Sequence, residues 1–202
     1  MQRRVLEIAR PCTVQACNES RRFEIPADLT VLRQGSFMRI IGVDPGSSTT
    51  GYGVIESDGR HYELIEYAGI QGPKHMSFAE RLLTISRKLE EVIERLKPQA
   101  CAVEDTFYAV NVKSALKLGQ ARGAVLVAAA RAGVEVFEYS PLEIKSALVG
   151  YGRAEKHQVQ EMVRVILGME TAPEPLDASD ALAVAICHIN VASTRALLMK
   201  KV

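Results

Sequence analysis

Three places in the chain put a carboxylate where an apolar run gives way to polar residues. Asp44 ends the first run of "IIGVDPGSSTTGYGVIE", Glu104 ends "CAVE" just ahead of Asp105, and Asp177 and Asp180 stand in "PLDASDALAVAICH". Asp177 and Asp180 are one helical turn apart, so on a helix both would project from one face. Adjacent carboxylates repel unless a cation lies between them. Hard divalent cations such as Mg²⁺ take oxygen ligands, typically one or two carboxylates plus a substrate phosphate. Four convergent carboxylates would hold two such ions, an arrangement that activates water and stabilises the leaving oxygen in phosphodiester hydrolysis. Each place also has an ordinary reading. Asp-x-x-Asp at a helix start caps the helix and meets its dipole. Asp-Pro-Gly makes turns, and Glu104 beside Asp105 suits a solvated strand end. Spacing does not show that the three places meet. Only their joint occurrence raises the metal reading.

The elements that would position these acids are legible in the pattern. Residues 39–44 and 51–57 are apolar, β-branched runs joined by a Gly/Ser/Thr turn, which predicts a hairpin. Residues 61–70 give a third strand of half-buried character. Ser77 followed by Glu80 is a capping box, and Phe78, Leu82, Ile85, Leu89, Val92 and Leu96 make one apolar stripe that ends at Pro98. Strands are expected at 100–104 and 134–139, and helices at 112–131, 141–149, 155–168 and from about Asp177 to Ala192. A meander followed by alternating strands and helices is an α/β domain with a mixed sheet and helices on both faces.

The chain has 202 residues, 48% hydrophobic and 24% charged, enough for one domain with a sizeable core. Residues 1–37 lack a sustained period and carry scattered arginines. They are expected to be an N-terminal extension, with Met38 the natural start and 38–202 the domain proper. The longest uninterrupted apolar stretch, "GAVLVAAA", is short for a bilayer, and the expectation is a soluble cytoplasmic protein. Cys12, Cys17, Cys101 and Cys187 form no CxxC pair, which argues against a zinc site. The net charge of +1 decides nothing about a nucleic-acid partner, which must be argued from local charge.

Five blocks occur in one order: "IIGVDPGSSTTGYGVI", "VEDTF", "SALKLGQARG", "AEKHQVQEMV" and "DASDALAVAICH". Over residues 38 to about 192 the chain resembles the RuvC family of Holliday-junction resolvases, endonucleases with an RNase H-like fold. The resemblance implies a mixed five-stranded sheet and a tetrad of Asp44, Glu104, Asp177 and Asp180, all acidic here. It implies two Mg²⁺ ions, or Mn²⁺, promoting water attack on a backbone phosphate and leaving 5′-phosphate and 3′-hydroxyl ends. A homodimer making paired symmetric nicks in four-way junction DNA, and the RuvA–RuvB branch-migration complex as partner, follow from the same likeness. An RNase H-like nuclease of another substrate class and a non-catalytic junction-binding protein are the alternatives.

Local charge points to DNA independently. Residues 111–131 hold Lys113, Lys117, Arg122 and Arg131 and no acid. The ordinary reading is a solvated helix face. With Asn111 at its start, this segment is expected to contribute Asn111, Lys113, Lys117 and Arg122 to the DNA surface. Phe107 and Tyr108 follow Glu104, where aromatics could wedge between or stack on bases, and Phe107 matches a loop phenylalanine of the family. One of the pair could instead anchor the loop. Val110 stands where some relatives carry a lysine. Lys145 and Lys156 match basic positions of the family, and Arg153 lies between Gly152 and the second of them. His188 lies eight residues past Asp180, about 12 Å further along a helix, too far to share a metal. Gly119 and Gly123, one turn apart, permit close helix packing, either within the subunit or between two copies.

Overall fold

The computed structural model describes residues 37–73, 75–105 and 111–199. Nearly all of the segment set apart as an extension lies outside these residues, as do Phe107, Tyr108 and Val110. Five strands are present: β1 (Met38–Asp44), β2 (Thr49–Ser57), β3 (Tyr62–Gln71), β4 (Ala100–Glu104) and β5 (Glu135–Tyr139). The helices are α1 (Phe78–Leu96), α2 (Val112–Arg131), α3 (Pro141–Val149), α4 (Lys156–Ile166) and α5 (Leu176–Met199). The sheet order is β3-β2-β1-β4-β5. The first three strands pair antiparallel, whereas β1, β4 and β5 run parallel.

Side chains alternate across the sheet, and the alternation sorts the core into two halves. Ile41, Val43, Cys101 and Val103 face α1 and α2, meeting Ile85, Leu89, Val92, Ala121 and Val125. Ile40, Ala100, Ala102 and Tyr139 face α3, α4 and α5, meeting Ile144, Val159, Leu182 and Ile186. Glu104 and Asp44 continue the second set, so both point toward α5.

Local signals set the helix ends. The Ser77 hydroxyl accepts from the Glu80 amide and the Glu80 carboxylate accepts from the Ser77 amide, the expected capping box. Lys97 closes α1 in the left-handed region ahead of Pro98. Ser140 caps α3, Pro141 opens it and Gly150 closes it. The last helix runs seven residues beyond the expected Ala192, to Met199. No Gly or Pro interrupts "STRALLM", and the Thr194 hydroxyl donates back to the Asn190 carbonyl at 2.8 Å. By length and composition α5 could cross a bilayer, but half of that stretch is buried inside the protein. Its apolar character is that of a core helix.

Glycines decide how closely α5 lies on the sheet. A Cβ on Gly42 would sit 2.0 Å from the Ala181 carbonyl oxygen, and one on Gly51 would sit 1.9 Å from the Asp177 carbonyl oxygen. One on Gly53 would meet the Leu182 side chain at 2.5 Å. Gly51 is the cross-strand partner of Asp44. The first turn of α5 therefore rests directly beside the end of β1. Gly42→Ala is expected to push α5 off the sheet and cost about 3 kcal/mol of stability, measured by urea denaturation. It should also depress divalent-cation binding, because two of the acids ride on α5.

Candidate active site

Asp44 and Glu104 end β1 and β4, neighbouring parallel strands at the middle of the sheet. Asp177 and Asp180 come from the first turns of α5. The fold thus brings the three acidic places of the sequence to one end of the sheet. Behind Asp44 the turn is tight: the Thr50 hydroxyl, fully buried, donates to the Gly46 carbonyl at 3.2 Å. From α1, Arg81 donates to the Ser47 carbonyl at 2.9 Å and ties down the same turn. The apolar stripe gave α1 only a packing role, and Arg81 adds a polar one. Its place opposite the turn is a tertiary fact with no sequence signature.

The electrostatics bind the acids into one group. Burial raises the Asp44 carboxyl well above the ordinary carboxylate range, and the charges of Glu104, Asp180 and Asp177 raise it further. Burial also raises Glu104, and Asp180 adds to this, while a hydrogen bond with Asp44 and the charges of Lys156 and Lys145 pull the other way. Each of the two carboxyls thus disfavours the ionised form beside its neighbours. Lys156 Nζ lies 2.7 Å from Asp180 Oδ2. That bond raises the lysine's pKa, with Asp180, Asp44 and Asp177 contributing as charges.

A cavity of about 260 Å³ opens here, lined by Glu104, Lys145, Lys156 and Asp180 over an apolar floor of Ile144, Val159 and Ala183. The floor residues, which the sequence reading did not single out, keep one wall dry and strengthen the charges above it. Among the described residues, no three acidic, His or Cys side chains close tightly enough to cage an ion as they stand. Asp180 is engaged by Lys156 instead. The donor set still fits a hard divalent cation: its donors are all oxygen, its charges repel, and an ammonium is already drawn to it.

The other expected residues separate. Lys145 and Lys156 are at the site, and Arg153 is exposed on the loop before α4. Lys113 is exposed near the start of α2. Asn111 is the cap of α2, its Oδ1 accepting from the Ser114 amide at 2.9 Å. Lys117 lies 5.6 Å over the Phe78 ring and links α2 to α1. Arg131 lies 3.3 Å from Glu90. Arg122 lies on the far side of the sheet from the acids, paired with Asp105 and Glu138. The basic run of 111–131 is therefore not one phosphate-facing stripe, because several of its cations serve packing. His188 is buried in the core, its Nδ1 2.8 Å from Tyr139 Oη. Burial lowers its pKa to about 4, with Arg195 contributing, so it is a neutral core residue, as its distance from Asp180 suggested.

A family profile described as "Crossover junction endodeoxyribonuclease RuvC" matches residues 40–188. Curated proteins of that name are similar. One from Chloroflexus aurantiacus is 50% identical over 157 residues, 78% of this chain and 96% of the relative. One from Ruminiclostridium cellulolyticum is 46% identical over 161 residues, 80% of this chain and 97% of the relative. Among solved structures, Thermus thermophilus RuvC is 39% identical with a TM-score of 0.73, over 78% of this chain and 96% of that one. The same protein "in complex with Holliday junction substrate" gives a TM-score of 0.74 at the same identity and coverage. The yeast mitochondrial resolvase Ydc2, 14% identical with a TM-score of 0.59, shares the fold.

The carboxylate group makes the metal-free protein pH-sensitive. Because Asp44 is raised in the folded state, its contribution is fully favourable below the ordinary carboxylate range and is lost as pH rises through the raised value. In chelator, wild-type stability should fall as pH rises from 5 to 9 relative to Asp44→Asn. At the alkaline end the variant should be more stable by roughly 1–3 kcal/mol, read by urea denaturation.

Proposed function

Because this chain belongs to the RuvC family of crossover junction endodeoxyribonucleases, we propose that it resolves four-way DNA junctions by paired nicks made at Asp44, Glu104, Asp177 and Asp180. The observation that carries this assignment is the convergence of four acids, from two adjacent strand ends and one helix, two of which (Glu104 and Asp180) line one cavity with Lys145 and Lys156. Nucleases of this family are metal-dependent. Mg²⁺, or Mn²⁺ in its place, would be held by the four carboxylates and would supply an activated water and charge stabilisation on the phosphate.

The chain's own groups do the rest. Asp44 and Glu104, held side by side by β1 and β4, would serve as ligands in their ionised forms, which a bound cation would favour. Lys145 and Lys156 offer cationic hydrogen bonds to the phosphate oxygens, where negative charge builds during displacement. The dry wall of Ile144, Val159 and Ala183 strengthens both effects. The products are a 5′-phosphate and a 3′-hydroxyl. Lys113 and Arg153, both exposed, are the remaining candidates for backbone contacts, and Phe107, with Tyr108 sharing or anchoring, is the candidate wedge between bases. A cytoplasmic location accompanies this role.

Cutting two strands calls for two sites, and α2 offers the face for a second copy. Val112 and Leu116 are 77% and 64% exposed and Val127 is 54% exposed. A Cβ on Gly119 or Gly123 would meet nothing within 4 Å. These five positions form one largely exposed apolar stripe at helical spacing, which supports reading the close packing their glycines permit as one between copies. Leu116→Glu should convert a dimer to a monomer in sedimentation analysis.

Incubation with a synthetic four-way junction and Mg²⁺ tests the activity. Symmetric nicks are expected, reduced on the order of 100-fold or more in Asp44→Asn, with junction binding retained in gel shifts. Equal cleavage of linear duplex or of an RNA–DNA hybrid would overturn the assignment.

A further inference from the structure

Arg122 carries the basic run's least expected placement. It rises from the inner face of α2, and its Nη2 lies 2.7 Å from Asp105 Oδ1 and 2.5 Å from Glu138 Oε1. Its side chain is 22% exposed, and Asp105 is 23% exposed. Such a half-buried guanidinium, ion-paired with two acids among the described residues, is poorly placed to neutralise a DNA phosphate. Both of its partners bear on Glu104. Asp105 is the next residue in the chain, and its amide donates to the Tyr139 carbonyl at 2.8 Å, one step past the end of β4. Glu138 is the register partner of Val103, and Tyr139 that of Glu104.

Alternation gives this arrangement its force. Successive residues of an extended chain point to opposite faces. Glu104 points toward α5 and the other acids, so Asp105 points toward α2. A rotation of the strand end that moved Glu104 out of the site would swing Asp105 away from Arg122. We propose that Arg122 is a positioning residue for Glu104, acting through the sheet: by clamping Asp105 and Glu138 on the α2 face, it fixes the carboxylate on the α5 face. This rests on the assignment of Glu104 to the metal-binding acids.

The test is calorimetric titration of Mg²⁺ into the full chain, with junction cleavage and junction binding measured on the same proteins. In Arg122→Gln the Mg²⁺ dissociation constant should rise about 10-fold, with a comparable fall in kcat. KM, and the salt dependence of junction binding in chelator, should stay unchanged. Arg122→Lys should recover part of the loss. Asp105→Asn should reproduce it in milder form, and serves if Arg122→Gln does not fold. A merely structural role would lower Tm and leave Mg²⁺ affinity and kcat alone, and that result overturns the proposal. So does weakened junction binding with a salt slope shallower by about one phosphate, which would make Arg122 a DNA contact. If Asp44→Asn and wild type bind Mg²⁺ alike, the reading of the acids itself has failed. If they differ while Arg122→Gln matches wild type, only the clamp has failed.

Discussion

The approach of α5 to the sheet is the constraint on which the rest depends. Strand positions 42, 51 and 53 offer backbone where any other residue would offer a side chain, and α5 fills the space with its own backbone, the Ala185 methyl and the Leu182 side chain. Glycine interrupts a strand at an energetic cost. Here it allows a contact no bulkier residue permits: the Asp177 carbonyl lies where a Cβ of Gly51 would be. Because Gly51 pairs with Asp44, that contact sets the separation between the acids of α5 and the acid of β1. The buried run from Ala181 to Ile189 then holds the helix in place.

Held this closely, the acids repel one another, and the protein spends local stability on them. Burial and mutual charge raise Asp44 and Glu104, and for Glu104 a hydrogen bond with Asp44 and the charges of Lys156 and Lys145 work against that. The cost is met by the two well-filled halves of the core on either side of the sheet. Polar residues brace the surroundings from several directions. Arg81 holds the turn after β1, Thr50 closes it, and the pairings of Arg122 tie β4 to β5 on the far face.

Much of this was legible along the chain. The acids announced themselves by standing where apolar runs stop, and the period-two and period-3.6 patterns gave all ten elements in their observed order. Their convergence was not legible from spacing, and only the family resemblance implied it, because it depends on a sheet order that puts β4 beside β1 and on α5 crossing the strand ends. Charge was read less well. Arg122 belongs to a basic run in one dimension, yet in three it pairs with acids contributed by other elements, so a count of cations along one segment misstated its surface. Glu138 offered a signal that could have corrected this: an acid inside "VEVFEY" on the same face as Val136 must meet a cation or water. The end of α5 was missed because nothing in "STRALLM" stops a helix.

Asp105 and Asn111, on either side of residues 106–110, are both tied to α2. Asp105 is fixed to Arg122 and to the Tyr139 backbone, and Asn111 is fixed by its own cap on α2. Glu104 therefore sits on a braced step: the residue after it is tied by its amide to β5 and by its charge to α2. A carboxylate presented this way takes its aim from the sheet.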